Sequence, residues 1–356
     1  MLDLSYVVTR LTFTLLIATG LSLIGTPLAM DLAQKLDIID RPNKARKVHT
    51  KPIPYLGGVA IYVAFVVASV AFCPLSKEIA VMLGGGAILM VVGAIDDKKD
   101  LSPKLRLFVQ IACAALAVIG GIKAEGINVP FGGGFLSLGV LSWPLTIIWI
   151  VAISNAMNFI DGLDGLTAGT TIIICGTLIL VAWHQGFYNV LILSAAMSGA
   201  CLGFLRYNFH PAKVFMGDAG TVFIGYVLGC LSVMGPMKQA TLMTMLTPVI
   251  ALGLPIFDMV VVMIRRIWSG KSPMSADRTH AHHRLFDSGL SQKQTVLWLY
   301  AISICFGLTA ISITTAEGRI IAFVAGIVGI ALFIHAHHLE AKKVNERPTL
   351  DLTNQL

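Results

Sequence analysis

Carboxylates are scarce in this chain, 19 Asp and Glu among 356 residues, yet several gather in tight groups: Asp96-Asp97, Asp161 with Asp164, Asp218 and Asp277. Each lies at the end of an apolar stretch or in the loop between two of them. A charge close to a membrane core is costly, so such residues are candidates for pairing with a cation or lining a polar cavity. The densest segment runs from Ser154 to Leu166. Its i, i+3 spacing predicts that Asn155, Asn158, Asp161 and Asp164 occupy neighbouring positions on one helix face. Oxygen donors without thiolates suit Mg²⁺ or Mn²⁺ rather than zinc. The run Phe215 to Gly220 joins a carboxylate to two glycines at the start of an apolar stretch, where backbone amides can face an anion.

A second chemistry is basic. The segment Arg265 to Arg284 holds His280, His282, His283 and five Lys or Arg side chains. Arg forks match phosphate oxygens and His can donate hydrogen bonds, so this loop reads as a phosphate receptor. Anchoring at the inner membrane face is the alternative for its basic residues. Zinc is disfavoured, because no Cys or spaced fourth ligand accompanies the His-x-His-His run.

The elements that must position these groups are membrane spans. The chain is 56% hydrophobic and 13% charged, with mean hydropathy +0.81, whereas soluble domains carry roughly 25% charged residues. A soluble globular reading is therefore excluded. We expect an all-α, polytopic membrane protein with about eleven spans: Leu4 to Met30, Pro54 to Pro74, Ile79 to Ile95, Leu107 to Gly121, Leu141 to Phe159, Leu166 to His184, Val190 to Leu205, Thr221 to Pro236, Ala240 to Ile264, Val296 to Thr315 and Ile320 to Leu339. The loops 31–53, 96–106, 206–220 and 265–295 hold six, four, two and six Lys or Arg. With three in the tail, one face carries 21 of the chain's 26 basic residues. That face is expected to be cytoplasmic, with the N-terminus outside and the C-terminus inside. All the carboxylate groups fall on it, and loops 31–53, 96–106, 160–166, 206–220 and 265–295 are expected to form one shared active site in a single membrane domain over residues 1–356. The net charge of +7 is thus topological, and nucleic acid is not an expected partner. The Gly132-Gly133-Gly134 run predicts a hairpin turn on the outer face. The six cysteines form no CxxC pair and read as small core residues.

Carboxylates that recruit a divalent cation, beside basic loops at a bilayer surface, fit phosphoryl transfer to a lipid. Two phosphate charges at about 4 Å repel by roughly 4 kcal/mol at an effective dielectric of 20, so a metal between them is worth several kcal/mol. A secondary transporter is the competing class. Its carboxylates would sit near the midplane within repeats, and neither feature is visible here.

The motif series resembles the polyprenyl-phosphate N-acetylhexosamine-1-phosphate transferases. It comprises Arg46-Lys47-Val48-His49 with Gly57-Gly58, then Asp96-Asp97, Asn155 to Leu166, Asn208 with Val214 to Gly220, and Arg265 to His283. Ala281 interrupts the histidine run, as in the bacterial undecaprenyl-phosphate N-acetylglucosamine-1-phosphate branch and unlike the phospho-MurNAc-pentapeptide translocases. The resemblance implies transfer of N-acetylglucosamine 1-phosphate from UDP-N-acetylglucosamine to undecaprenyl phosphate, with Mg²⁺ or Mn²⁺, in the bacterial cytoplasmic membrane. This is the first lipid-linked step of O-antigen, enterobacterial common antigen or teichoic acid assembly. It implies Asp218 as direct metal ligand joined by Asp161, with Asp164 and Asn158 completing the metal and pyrophosphate pocket, and Asn208 and Phe215 on the uridine. Asp96 and Asp97 have two family readings, covalent nucleophile or base. Since a phosphate monoester is mostly dianionic at neutral pH, we favour direct in-line attack with Asp97 orienting the acceptor and Asp96 near the metal. Lys104 and Arg106 match the family's basic positions. His280, His282 and His283, with Arg266 and Asp277, are expected to hold the donor's phosphates or its acetamido sugar. The sugar, the downstream polymer and the oligomeric state, a homodimer included, stay open.

Overall fold

The computed structural model describes residues 4–41, 52–129, 134–235, 240–270, 280–314 and 319–344. In chain order the helices are α1 (Leu4–Lys35), α2 (Gly57–Phe72), α3 (Lys77–Lys99), α4 (Pro103–Gly120), α5 (Ser142–Phe159), α6 (Leu166–Gln185), α7 (Tyr188–Asn208), α8 (Gly217–Met234), α9 (Leu242–Ala251), α10 (Gly253–Trp268), α11 (Ala281–Asp287), α12 (Gln292–Thr314) and α13 (Arg319–Val344). Eight of them, α1, α3 to α8 and α12, are long and apolar enough to cross a membrane, and Gly57–Phe72 and Phe323–His335 are shorter apolar helices. The chain is a polytopic helical membrane protein.

Two expectations need correction. The stretch from Ala240 to Ile264 is not one continuous helix: Ala240–Thr241 pair as a strand, and the rest divides at Leu252 into α9 and α10, because Pro255 has no amide to donate to the Ala251 carbonyl. The fold is also not purely helical. Strands β1 (Ile39–Asp40) and β2 (Ile53–Pro54) pair antiparallel, and β3 (Gly126–Val129) pairs with β4 (Gly134–Ser137) and β5 (Ala240–Thr241). The expected hairpin is therefore formed on both flanks, while Gly132 and Gly133 lie outside the described residues.

Packing follows membrane rules, in which small and polar side chains face helix neighbours and large apolar ones face outward. On α1 the buried positions are Thr14, Ala18, Ser22, Thr26, Ala29 and Ala33, while Phe13, Leu16, Ile24 and Leu28 are exposed. Helix ends are set by local chemistry. Ser76 accepts the Ile79 amide at the start of α3, which ends on Lys98 and Lys99, so both termini complement the helix dipole. Ser102 and Pro103 open α4 in the same manner.

The most buried long helix, α8, is the centre of the molecule. It runs antiparallel to α3, where Gly85, Gly86 and Gly93 leave room for Tyr226, Phe223 and Ala219, and antiparallel to α5, where Gly225 meets Ser154. These contacts bring the C-terminal ends of α3 and α5 to the N-terminal end of α8. The polar site forms at that junction.

Candidate active site

A cleft of about 740 Å³ opens at this junction, lined by Asp40, Tyr55, Asp97, Asp161, Asp164, Asn208, His210, Lys213, Phe215, Asp218 and His283, among others. An apolar groove of about 350 Å³ lies on the other side of α8's first turn, between α3, α4, α5 and α10. Asp218 lines both.

Asp97 ends α3 and points at α8. Its Oδ1 accepts the Asp218 amide at 2.8 Å and its Oδ2 the Ala219 amide at 3.4 Å. The anion expected at this helix start is thus the chain's own carboxylate. Gly217 makes the approach feasible: its φ is +69°, and a Cβ there would collide with the Asp97 carboxylate. Asp218 is held on both oxygens, Oδ1 by the Asn158 amide at 2.9 Å and Oδ2 by the Arg106 guanidinium at 2.8 Å. Arg106 also donates to Asp96 at 2.9 Å. Asp96 is buried, accepts the Leu101 amide at 2.6 Å and lines the groove rather than the cleft, so it acts as the counter-ion of Arg106. Lys104 is exposed on the first turn of α4, outside both cavities.

The shared helix face expected for Asn155 to Asp164 is not formed. The helix α5 stops at Phe159, and residues 160–165 make a turn closed by Gly165 at φ +81°. Asn155 therefore faces the groove, donating to Gln110 at 2.6 Å, while Asp161 and Asp164 line the cleft from the turn. Asp164 accepts from the Ala212 amide at 3.1 Å and pairs with His210 Nδ1 at 2.8 Å. Asn208 braces the same region: its carbonyl accepts the Gly165 amide at 3.0 Å and its amide donates to Val214 at 2.9 Å. Tyr300 of α12 donates to the Gly165 carbonyl at 2.5 Å.

Phe215 sits in the cleft beside Tyr55, ring centroids 5.9 Å apart. Backbone bonds join the two segments, Phe215 N to Pro54 O and Gly57 N to Phe215 O, both at 3.0 Å. Burial and the carboxylates of Asp40, Asp97 and Asp218 push the Tyr55 hydroxyl well above the usual phenol range, so it is a neutral donor.

The histidines divide. His283 lines the cleft, but His280 is buried against Asp258, with Nδ1 2.7 Å from Oδ2, and His282 is buried with its ring against Gly162. Burial and the neighbouring His283 lower the His282 pKa to about 3, which leaves a neutral ring rather than a phosphate-binding cation. The physical reason is that His280, at the cap of α11, and His282, on its first turn, both face the core. Arg266 is likewise buried at the end of α10 and does not line the cleft. Asp277, and Arg46 to His49, lie outside the described residues.

Four site residues were not singled out from the sequence: Asp40, Tyr55, His210 and Lys213. Asp40 follows the first span on the basic face, so the rule that found the other carboxylates could have found it. Tyr55, His210 and Lys213 carry no such signal.

Five carboxylates line the cleft, and in that field a pyrophosphate group is repelled unless a cation accompanies it. Among the described residues no three His, Cys, Asp or Glu side chains converge as a metal cage. The donor set is nonetheless carboxylate oxygen, which fits Mg²⁺ or Mn²⁺ because such ions keep waters and share one or two carboxylates with substrate phosphates.

Residues 79–236 match glycosyl transferase family 4. The chain is 40% identical over 330 residues to a probable undecaprenyl-phosphate N-acetylglucosaminyl 1-phosphate transferase of Bacillus subtilis, covering 92% of this chain and 91% of that one. It is 36% identical over 299 residues to a decaprenyl-phosphate N-acetylglucosaminephosphotransferase of Mycolicibacterium smegmatis, covering 76% and 73%. It is 30% identical over 273 residues to the undecaprenyl-phosphate alpha-N-acetylglucosaminyl 1-phosphate transferase of Escherichia coli K12, covering 75% and 74%. The chain belongs to glycosyl transferase family 4 and is a membrane-embedded phospho-sugar transferase.

Proposed function

We propose that the protein transfers N-acetylglucosamine 1-phosphate from UDP-N-acetylglucosamine to undecaprenyl phosphate, releasing UMP. The observation that carries this reading is the position of Asp218, shared by a polar cleft and an apolar groove. The groove suits a polyprenyl chain: Leu89, Val92, Leu107, Val109, Ala152 and Val222 line it, and Arg106 stands at its polar end. A phosphate brought there by its lipid meets a guanidinium. The cleft suits the nucleotide sugar, with Phe215 and Tyr55 offering aromatic faces to the base and Lys213, His210 and His283 lining the side where its phosphates would lie.

An oxygen of the acceptor phosphate attacks the β-phosphorus of the donor. The bond from that phosphorus to the bridging oxygen breaks, and UMP leaves with the oxygen. No base is required, since the acceptor's second pKa is near 6. Asp97 is engaged on both oxygens by the first amides of α8, which favours an orienting role over covalent attack. A hard divalent cation, Mg²⁺ or Mn²⁺, would be held through Asp218 with Asp161, and supplies neutralisation of the charge between the two phosphate groups.

The basic residues on the cleft side support a cytoplasmic active site in the bacterial inner membrane, with about eleven spans, the N-terminus outside and the C-terminus inside. The product would be the first lipid-linked intermediate of a surface polymer such as O-antigen, enterobacterial common antigen or teichoic acid. The test is UMP release by purified protein given undecaprenyl phosphate, Mg²⁺ and a panel of UDP-sugars. Lipid-dependent, chelator-sensitive release with UDP-N-acetylglucosamine is the expected result. Release with a different UDP-sugar alone would move the donor, and no release with any would reject the reading.

A further inference from the structure

Asp258 lies on the second turn of α10, 2% exposed, away from the cleft, and shares a small internal cavity with the apolar side chains of Ile160, Leu166, Leu254 and Leu299. A carboxylate there is expensive unless every oxygen is satisfied, and an apolar residue of similar size would pack at lower cost. Both oxygens are satisfied, and by the same short segment. Oδ2 pairs with His280 Nδ1 at 2.7 Å, and Oδ1 accepts the Ala281 amide at 2.7 Å.

One side chain therefore fixes where α11 begins and how its leading ring is turned. From that anchor, contacts run to the cleft. The His282 ring stacks on His280 at 5.7 Å and 15° and lies so close to Gly162 that any side chain on that residue would collide with it. His283 is 4.2 Å from His282 and emerges at the cleft wall facing Asp161 and Asp164. A slip of α11 by one residue would rotate the helix by about 100°, turning His283 away from the cleft and withdrawing the backing of the 160–165 turn.

We propose that Asp258 is a positioning residue of the transferase: through His280 and Ala281 it sets the register of α11, and thereby the donor-side wall formed by His283 and the Asp161–Asp164 turn. This deepens the proposed function and rests on it for the identity of the donor. Asp258 touches no substrate. Its effect is expected on the nucleotide sugar and not on the lipid, whose groove is lined by α3, α4, α5 and α8 and takes Met259 and Met263 from another face of α10.

The test has two arms on full-length protein. In the first, hydrogen exchange is followed in wild type and Asp258→Asn. Asparagine keeps the size and one of the two acceptor bonds, and exchange is expected to quicken at 281–287 and at 160–166 while the start of α8 is unchanged. In the second, UMP release is measured for Asp258→Asn, His280→Asn and the double variant. The expected result is an apparent donor KM raised about tenfold in each single variant, with lipid KM within about twofold, and a double variant no worse than the worse single. Unchanged exchange at 160–166, an unchanged donor KM, equal losses for both substrates, or additive effects in the double variant would each overturn the proposal. If Asp258→Asn is not recovered folded, His280→Asn breaks the same bond from the other side and is read by the same criteria. Wild-type protein that releases no UMP would reject the proposed function instead, and the exchange arm would still decide whether Asp258 sets the register.

Discussion

The two walls of the cleft hold the same type of side chain by different means. On one wall Asp97 and Asp218 stand at the ends of α3 and α8, and their positions follow from helices packed backbone to backbone through Gly93 and Ala219. On the other wall Asp161 and Asp164 lie in a six-residue turn, and what places them is a set of hydrogen bonds with Asn208, His210, Ala212 and Tyr300, two separate segments of the chain. A helix-end wall is as rigid as its packing. A turn held by single bonds of about 1 kcal/mol each can adjust, as the proposed donor side of the cleft would require.

Breaking the rigid wall should have the largest effect. Asp218→Asn and Asp97→Asn are each expected to lower turnover by about 10²-fold or more, because an oriented charge at the reacting phosphates is lost. Since Arg106 keeps Asp96 as partner, the thermal midpoint of Asp218→Asn should stay within a few degrees of wild type. Turnover near wild type would remove that residue from the reacting centre.

The turn wall should yield more gradually. Asp164→Asn weakens the bonds to His210 and the Ala212 amide, worth about 1.5–3 kcal/mol for bonds to a charged group. Kinetics should show this chiefly as a raised KM for the nucleotide sugar, with kcat less affected. An equal fall in kcat and kcat/KM would instead place Asp164 among the groups that act only at the transition state.

The smallest effect concerns pH. His282 stays neutral in the fold down to about pH 3, whereas the unfolded chain takes up that proton near pH 6.5. Its contribution to stability is therefore complete above about 6.5 and falls as pH drops, by at most about 1.4 kcal/mol per unit. Thermal midpoints measured between pH 7.5 and 5 should decline less steeply in His282→Gln than in wild type. Equal slopes would mean the ring is not kept neutral by burial.

The same division explains what was readable beforehand. Asp96-Asp97, Asp161, Asp164 and Asp218 were found because a carboxylate at a span end is conspicuous in a chain this apolar. The partners were not readable, because they join distant positions: Arg106 reaches Asp218 across 112 residues and His210 reaches Asp164 across 46. Helical spacing does not extend through Asp164, because α5 ends at Phe159 and the chain turns before Gly165 opens α6, and Ala240 to Ile264 is not one continuous helix, because Pro255 has no amide to donate to the Ala251 carbonyl. The His-x-His-His run looked like three equivalent phosphate ligands. Only the packing of α11 on α10 separates His283, in the cleft, from His280 and His282, behind it.

Composition and hydropathy by themselves determined that this is a polytopic helical membrane protein, and residue type determined that its site is built from carboxylates at one end of the helices. Both follow from local costs, of exposing apolar surface to water and of placing charge in a low-dielectric medium. Which carboxylate faces which cation, which histidines reach the cleft, and that Asp218 joins a polar cavity to an apolar one were decided by tertiary structure. Those are relations between chain segments, set by how closely glycine-bearing helix faces approach, and spacing along one segment carries no record of them.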